Sequence, residues 1–211
     1  MASGYEEYIW KYLKSKIGNE CGVAGLMGNL QAESGLYPNR VQGDVPYSSY
    51  SVEYTAQVDN GSISREEFIY SGPNGGGYGL AQWTWSTRKA RLYDKWKSGG
   101  YASIGSIELA CDFLWWELSN SYPSVLRVLK TATSVREASN KVLHDFESPA
   151  DQSERVEEVR ASLGMNHYNN FSGTGGSPEV PEPSEPQPEY GNWIPQKRKM
   201  SLLLMHLATK R

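Results

Sequence analysis

Three glycines at three-residue intervals, Gly22, Gly25 and Gly28, interrupt a segment that otherwise reads as a helix from Glu20 to Ser34. Inside a helix each glycine costs about 1 kcal/mol relative to alanine. A compensating contact is therefore expected along that side. The contact that a missing Cβ permits is the close approach of another backbone. Leu26, Leu30 and Glu33 follow at i, i+4 and i+7, so Glu33 stands on an apolar face near the helix end. Gly35 and Pro38 close the helix just beyond it. A carboxyl in such surroundings loses hydration, and its pKa is expected to rise. That is what a general acid needs to keep its proton near neutral pH. The plainer reading is a glutamate solvated or capped on a last helical turn, and the surrounding sequence has to decide between the two.

Residues 1–171 read as one mainly α-helical domain. An amphipathic first helix, Met1 to Ser15, carries Tyr5, Tyr8, Ile9, Tyr12 and Leu13 at helical spacing. A third helix runs from Ser86 to Lys97, and a fourth from Ile107 to about Ser119 with Ser106 as its N-cap. Pro123 suits the first turn of a fifth. Ser134 and Glu137 form a capping-box pattern for a sixth, with Ala138, Val142, Leu143 and Phe146 as its apolar face. The last helix follows Asp151 and is expected to stop at Gly164. Between the second and third helices, residues 35–78 are rich in turn-forming residues. A small β-hairpin over residues 54–68 is expected there, turning at Asp59-Asn60-Gly61. A loop of this length in a compact domain is usually functional or disordered, and its place between Glu33 and a Gly-rich motif favours function.

The segment 172–189 interleaves five prolines with Glu and Ser and reads as a disordered, semi-extended linker. Residues 190–211 form a short basic tail around the apolar run Met200 to Ala208. That run either docks on a membrane surface or a partner, or has no specific role. The first helix is not a signal peptide, and no stretch reaches the roughly 18 apolar residues of a membrane span. Synthesis in the cytoplasm without a signal peptide follows as the expectation. A net charge of −3 argues against nucleic acid as a partner. Two cysteines and three scattered histidines offer no metal-ligand spacing, so no metal and no cofactor are expected. Whether Cys21 and Cys111 pair is left open. Seven Trp and fourteen Tyr suit sugar rings as well as a core.

The second signal is Gly75-Gly-Gly-Tyr-Gly-Leu-Ala-Gln-Trp-Thr84. Its glycines let backbone pass close to another surface, while Tyr78, Gln82 and Trp83 offer stacking and hydrogen-bonding groups. It lacks the Lys-Ser/Thr ending of a phosphate loop. Glu33-Ser34-Gly35-Leu36-Tyr37-Pro38, followed by Gly77-Tyr78-Gly79-Leu80-Ala81-Gln82-Trp83, resembles the lysozyme-like superfamily, with its goose-type lysozymes and lytic transglycosylases. Within it the chain is most similar to the phage tail lysozyme group. Arg88, Asp112-Phe-Leu-Trp-x-Glu117-Leu118, and Phe146-Glu147-x-Pro149 before Arg160 also fit that group.

The resemblance implies a lysozyme-like fold with a small hairpin lobe, a glycan cleft and bacterial peptidoglycan as substrate. It gives Glu33 the general-acid position, places Tyr78 and Gln82 at the cleft, and leaves Phe146 and Glu147 to support the fold or the cleft wall. Ser34 and Trp83 complete the expected substrate-binding set. An inverting hydrolase needs a second carboxylate about 6.5–9.5 Å from the acid. Asp44, Glu53 and Asp59 lie in the intervening stretch, and Asp59 is favoured because a turn between two strands would aim it across the cleft. Asp-Asn-Gly is also ordinary turn chemistry. Some relatives act through the glutamate alone, with the sugar's 6-hydroxyl as nucleophile, and a non-catalytic wall-binding role is a further alternative. The expected protein is a monomeric peptidoglycan hydrolase, carried by a virion or released through a holin-type membrane hole.

Overall fold

The computed structural model describes residues 4–44, 49–70 and 76–173. The basic tail, and all of the linker beyond Gly173, lie outside them. Helix α1, Gly4–Ile17, buries Ile9, Trp10 and Leu13 completely. Helix α2, Glu20–Ser34, starts from Asn19, whose side-chain oxygen accepts the Cys21 amide. Every residue of α2 from Gly22 to Leu30 is buried.

The three glycines of α2 receive three different helices. A Cβ on Gly22 would lie 1.8 Å from the carbonyl oxygen of Leu129, in α7 (Pro123–Thr131). One on Gly25 would lie 2.6 Å from both the Ala138 Cβ and the Ser139 nitrogen, in α8 (Val135–Val142). One on Gly28 would lie 2.3 Å from the Arg160 carbonyl oxygen and 2.5 Å from the Gly164 nitrogen, in α9 (Glu154–Phe171). Real side chains do not approach backbone this closely, so each glycine is required by its own neighbour. The contact with α9 is mutual, since a Cβ on Gly164 would meet the Ala24 carbonyl oxygen at 2.7 Å. Gly164 is therefore a packing glycine. The expected stop there is corrected: α9 continues to Phe171.

The hairpin is also corrected, and the small β lobe with it. Residues 49–70 form helix α3, Ser49–Asp59, and helix α4, Arg65–Tyr70. Ser51, Tyr54, Thr55 and Val58 are the buried face of α3, at the spacing of a helix and not of a strand. Asp59-Asn60-Gly61 does turn the chain, but between helices: Gly61 has φ +83° and the Asn60 side chain accepts the Ser62 amide. Ser64 and Glu67 then cap α4 reciprocally, Ser64 Oγ accepting the Glu67 amide at 3.2 Å and a Glu67 carboxylate oxygen accepting the Ser64 amide at 2.8 Å. Among the described residues, β pairing is limited to isolated antiparallel bridges from Tyr78 to Val41 and to Trp83.

Helix α5 spans Ser86–Gly99 and helix α6 spans Ile107–Asn120, the latter capped by Ser106 as expected. Ser134 caps α8 through the Glu137 amide, while the Glu137 carboxylate turns back to the Thr133 amide. Directly after α8, Leu143–Glu147 widens into a π-helical turn, closed by the Ser148 amide on the Leu143 carbonyl at 2.8 Å. Cys111 is buried, Cys21 is half-buried, and both are free thiols. Among the described residues no helix is long and apolar enough to cross a membrane.

Candidate active site

Glu33 stands on the last turn of α2, which ends in left-handed backbone at Gly35 (φ +67°) and continues so at Leu36 (φ +68°). Its Oε1 accepts a 2.7 Å hydrogen bond from Arg160 Nη2 on α9, and its side chain is 14% exposed. Arg160 is itself oriented by Asn29, one turn before Glu33, whose side-chain oxygen accepts Nη1 at 3.2 Å. The Asn29 amide group in turn donates to the Ser139 carbonyl and hydroxyl oxygens, both at 3.1 Å. A chain of buried polar contacts from α8 through α2 to α9 thus sets the direction of the Glu33 carboxyl. The apolar-face reading of Glu33 had no place for this guanidinium.

The segment after Gly76 folds back on itself. Tyr78 and Trp83 exchange backbone hydrogen bonds of 3.2 and 2.9 Å around a tight turn, with Gly79 at φ +79°. Gln82 also adopts positive φ, +44°, and its amide group donates to the carbonyl oxygens of Arg40 and Gly79, both at 3.1 Å. Positive φ in a non-glycine residue is strained backbone that its surroundings must hold. The turn brings Gln82 to the wall of a cleft.

Tyr78, Trp83 and Ser34 are placed behind that wall. They are 1%, 0% and 1% exposed, so none presents a face to a ligand. The Tyr78 hydroxyl is 2.8 Å from Thr55 Oγ1, and Ser34 Oγ donates to the Leu30 carbonyl. The Trp83 indole N–H donates to Glu117 at 2.6 Å. Glu117 also takes two bonds from Arg88, at 2.6 and 2.7 Å, which locks the start of α5 onto α6. Asp59, the last residue of α3, accepts the Ile104 amide at 2.8 Å. The turn between strands that was to aim it across the cleft is absent, and the structure brings Glu33 together with Arg160 and Glu147 instead.

The cleft encloses about 280 Å³ between the 82–88 segment and the π-helical turn. Gln82, Thr84, Trp85, Arg88, Phe146 and Glu147 are among its walls. Arg88 lies over the Phe146 ring, 5.0 Å from its centroid. Glu147 is buried, and that burial raises its carboxyl well above the usual range. The charge of Glu33 raises it further, while Arg88 and Arg160 pull it down. The family resemblance gave Glu147 to the fold or the cleft wall, and the sequence reading passed over Trp85, which is 71% exposed at the cleft rim. The signal for Trp85 was available: with Thr84 it follows the Gln82-Trp83 pair and precedes a helix start. Among the described residues no cluster of three His, Cys, Asp or Glu side chains is arranged to hold a metal.

Along most of its length the chain matches one known family. The family described as phage tail lysozyme matches residues 5–171. The chain belongs to this family. Membership carries a lysozyme-like action on peptidoglycan, as a hydrolase or lytic enzyme in the general sense, with peptidoglycan as the substrate. In this phage tail lysozyme the match takes in α1 through α9, so Glu33, Gln82, Glu147 and Arg160 all fall within it.

Proposed function

We propose that this phage tail lysozyme is a muramidase, cutting the glycosidic bond between N-acetylmuramic acid and N-acetylglucosamine with Glu33 as the proton donor. The observation that carries the reading is the partly exposed Glu33 carboxyl, held by Arg160 at the end of α2 beside the cleft-wall residue Glu147. In the reaction Glu33 takes up a proton at the start of each turnover and gives it to the glycosidic oxygen as the C–O bond breaks and water adds at the anomeric carbon. The carboxylate left behind is then met by the Arg160 guanidinium, which needs no reorganisation to receive it. Gln82, fixed through its amide group on two carbonyls, is proposed as a substrate-binding residue.

A second reading differs only in the nucleophile. Asp59 holds the Ile104 amide through Oδ1 and is not among the described residues that line the cleft. Attack by the 6-hydroxyl of the muramic acid itself, the route of a lytic transglycosylase, needs no second carboxylate. In either route we place the action at the bacterial wall, after delivery by a phage tail or passage through a membrane hole. Mass spectrometry of fragments from purified Gram-positive peptidoglycan separates the two. Reducing muramic acid ends are expected for the muramidase; 1,6-anhydro ends would replace hydrolysis by transglycosylation. Absence of any fragment from every wall tested would leave a wall-binding role.

A further inference from the structure

The π-helical turn that carries Phe146 and Glu147 into the cleft wall is pinned at its second residue, His144. Both ring nitrogens of His144 are engaged. Nδ1 lies 2.9 Å from Gln152 Oε1, and Nε2 lies 2.8 Å from Glu157 Oε1. The orientation of the Gln152 amide is fixed independently, because its Nε2 donates to the Pro149 carbonyl oxygen at 3.2 Å. Turning that amide over would set oxygen against oxygen. The other carboxylate oxygen of Glu157 accepts from the Asn140 side-chain amide at 2.8 Å, so Glu157 accepts on both sides. His144 therefore faces two acceptors. A neutral imidazole has one N–H and satisfies one of them; the imidazolium satisfies both.

The partners of this ring belong to different parts of the fold. Gln152 lies in the connection between the turn and α9, Glu157 is in the first turn of α9, and Asn140 reaches Glu157 from α8. Three residues beyond Glu157, on the same side of α9, Arg160 donates to Glu33. The turn needs an external hold. A π-helical turn is rare and frequently marks a functional site. Ser148, which closes it, has φ +44°, strained backbone for a serine, and its hydroxyl donates to the His144 carbonyl at 2.6 Å. The charged groups that act on the ring are Glu157 from α9 and Asp145 from its own turn, and Asp145 is paired with Lys141 of α8.

We infer that the His144 imidazolium is a positioning residue for the Glu33 site, a pin that holds the cleft-wall turn on α9 while it carries its proton and releases it when the proton is lost. This role rests on the reading of Glu33 as the proton donor. Deprotonation leaves a ring lone pair facing an oxygen lone pair, so either Gln152 or Glu157 is let go. The hydrogen bonds to Gln152 and Glu157 raise the His144 pKa in the fold, and the charges of Glu157 and Asp145 add to the rise. The hold is therefore complete below the unfolded value, about 6.5, and is lost as pH rises through the higher folded value. Release frees the turn bearing Glu147 from the same stretch of α9 that presents Arg160 to Glu33.

The test is a pH titration of the full wild-type chain by NMR, following the His144 ring together with the backbone amides of Phe146, Glu147, Ser148 and Arg160. His144 is expected to titrate above about 6.5, and the four amides to move with its midpoint. In H144Q, which keeps one donor for Glu157 and does not titrate, those amides are expected to stay still over that range. Through the same midpoint, wild-type kcat on soluble glycan is expected to fall about tenfold with little change in KM, less than the roughly 10²-fold cost of a 1 Å misplacement. H144Q is expected to lack that limb and to run at the lower rate throughout. A His144 midpoint at or below about 6.5, amides that ignore it, or a limb that persists in H144Q overturns the pin. If the wild type cleaves no wall, the reading of Glu33 fails, and the shared midpoint of ring and amides alone decides the pin.

Discussion

At the residue scale the central relation is between three carboxyls and two guanidiniums. Glu33 is paired with Arg160, and Arg88 with Glu117, which leaves Glu147 among them as the group whose proton is held by burial and by the nearby Glu33 charge. The sign of the consequence follows from linkage. A carboxyl whose folded pKa is raised stabilises the fold fully below its unfolded value, near 4.3, and that stability is lost as pH rises through the folded value. Glutamine has the shape of the protonated acid and does not titrate. The E147Q variant is therefore expected to melt with the wild type at about pH 4 and above it as pH rises. Thermal melts across a pH series check this. A variant that melts lower at every pH would mean that Arg88 and Arg160 hold Glu147 as a carboxylate. Glu33 was legible in the sequence because a helix stop follows it at once. Arg160, 127 residues away, was legible only as part of a family pattern, since the pairing is made by folding.

At the element scale, legibility followed local chemistry. Helix α2 was read with the bounds it has, and α6, α7 and α8 from their start signals: Ser106, Pro123, and the Ser134–Glu137 box. The misreadings share a cause. Asp59-Asn60-Gly61 was correctly read as a turn, but the elements on either side were taken as strands, although Ser64-Arg-Glu-Glu67 is a helix-start pattern of the same kind as Ser134 to Glu137. Gly164 was read as punctuation, whereas its missing Cβ serves the backbone of α2. A glycine's role in packing is invisible until its partner is known. Gly28 gives the test. Replacing it with alanine would gain about 1 kcal/mol of helix propensity. The new methyl would, however, meet the Arg160 carbonyl oxygen at 2.3 Å, and backbone cannot turn aside as a flexible side chain can. Overpacking of this kind costs about 1–3 kcal/mol, occasionally more, so the clash is expected to win. G28A should melt several degrees lower, with weaker activity as Arg160 shifts. An unchanged or higher melting temperature would contradict the close helix contact.

At the scale of the whole molecule, α2 is the element around which the others are laid. Its glycine side takes α7, α8 and α9, its end carries Glu33, and α9 returns Arg160 to that end. The cleft draws its walls from residues far apart in sequence, 81–88, Tyr122 and 145–148, and only the family resemblance, not local patterning, pointed to Phe146 and Glu147. Family and overall helical class came through the sequence because the Glu33 and Gln82 motifs are local. Which aromatics face the cleft did not: Tyr78 and Trp83 satisfy the core, and Trp85, two residues on, faces out. The central claim is that Glu33 supplies the proton. Its most direct measurement is the rate at which E33Q releases fragments from purified Gram-positive peptidoglycan, beside the wild type and with matching thermal melts. General acid catalysis contributes about 10²–10⁴-fold, so a fall of that size is predicted. A variant that cleaves within a few-fold of the wild type would contradict the assignment of Glu33 as the acid.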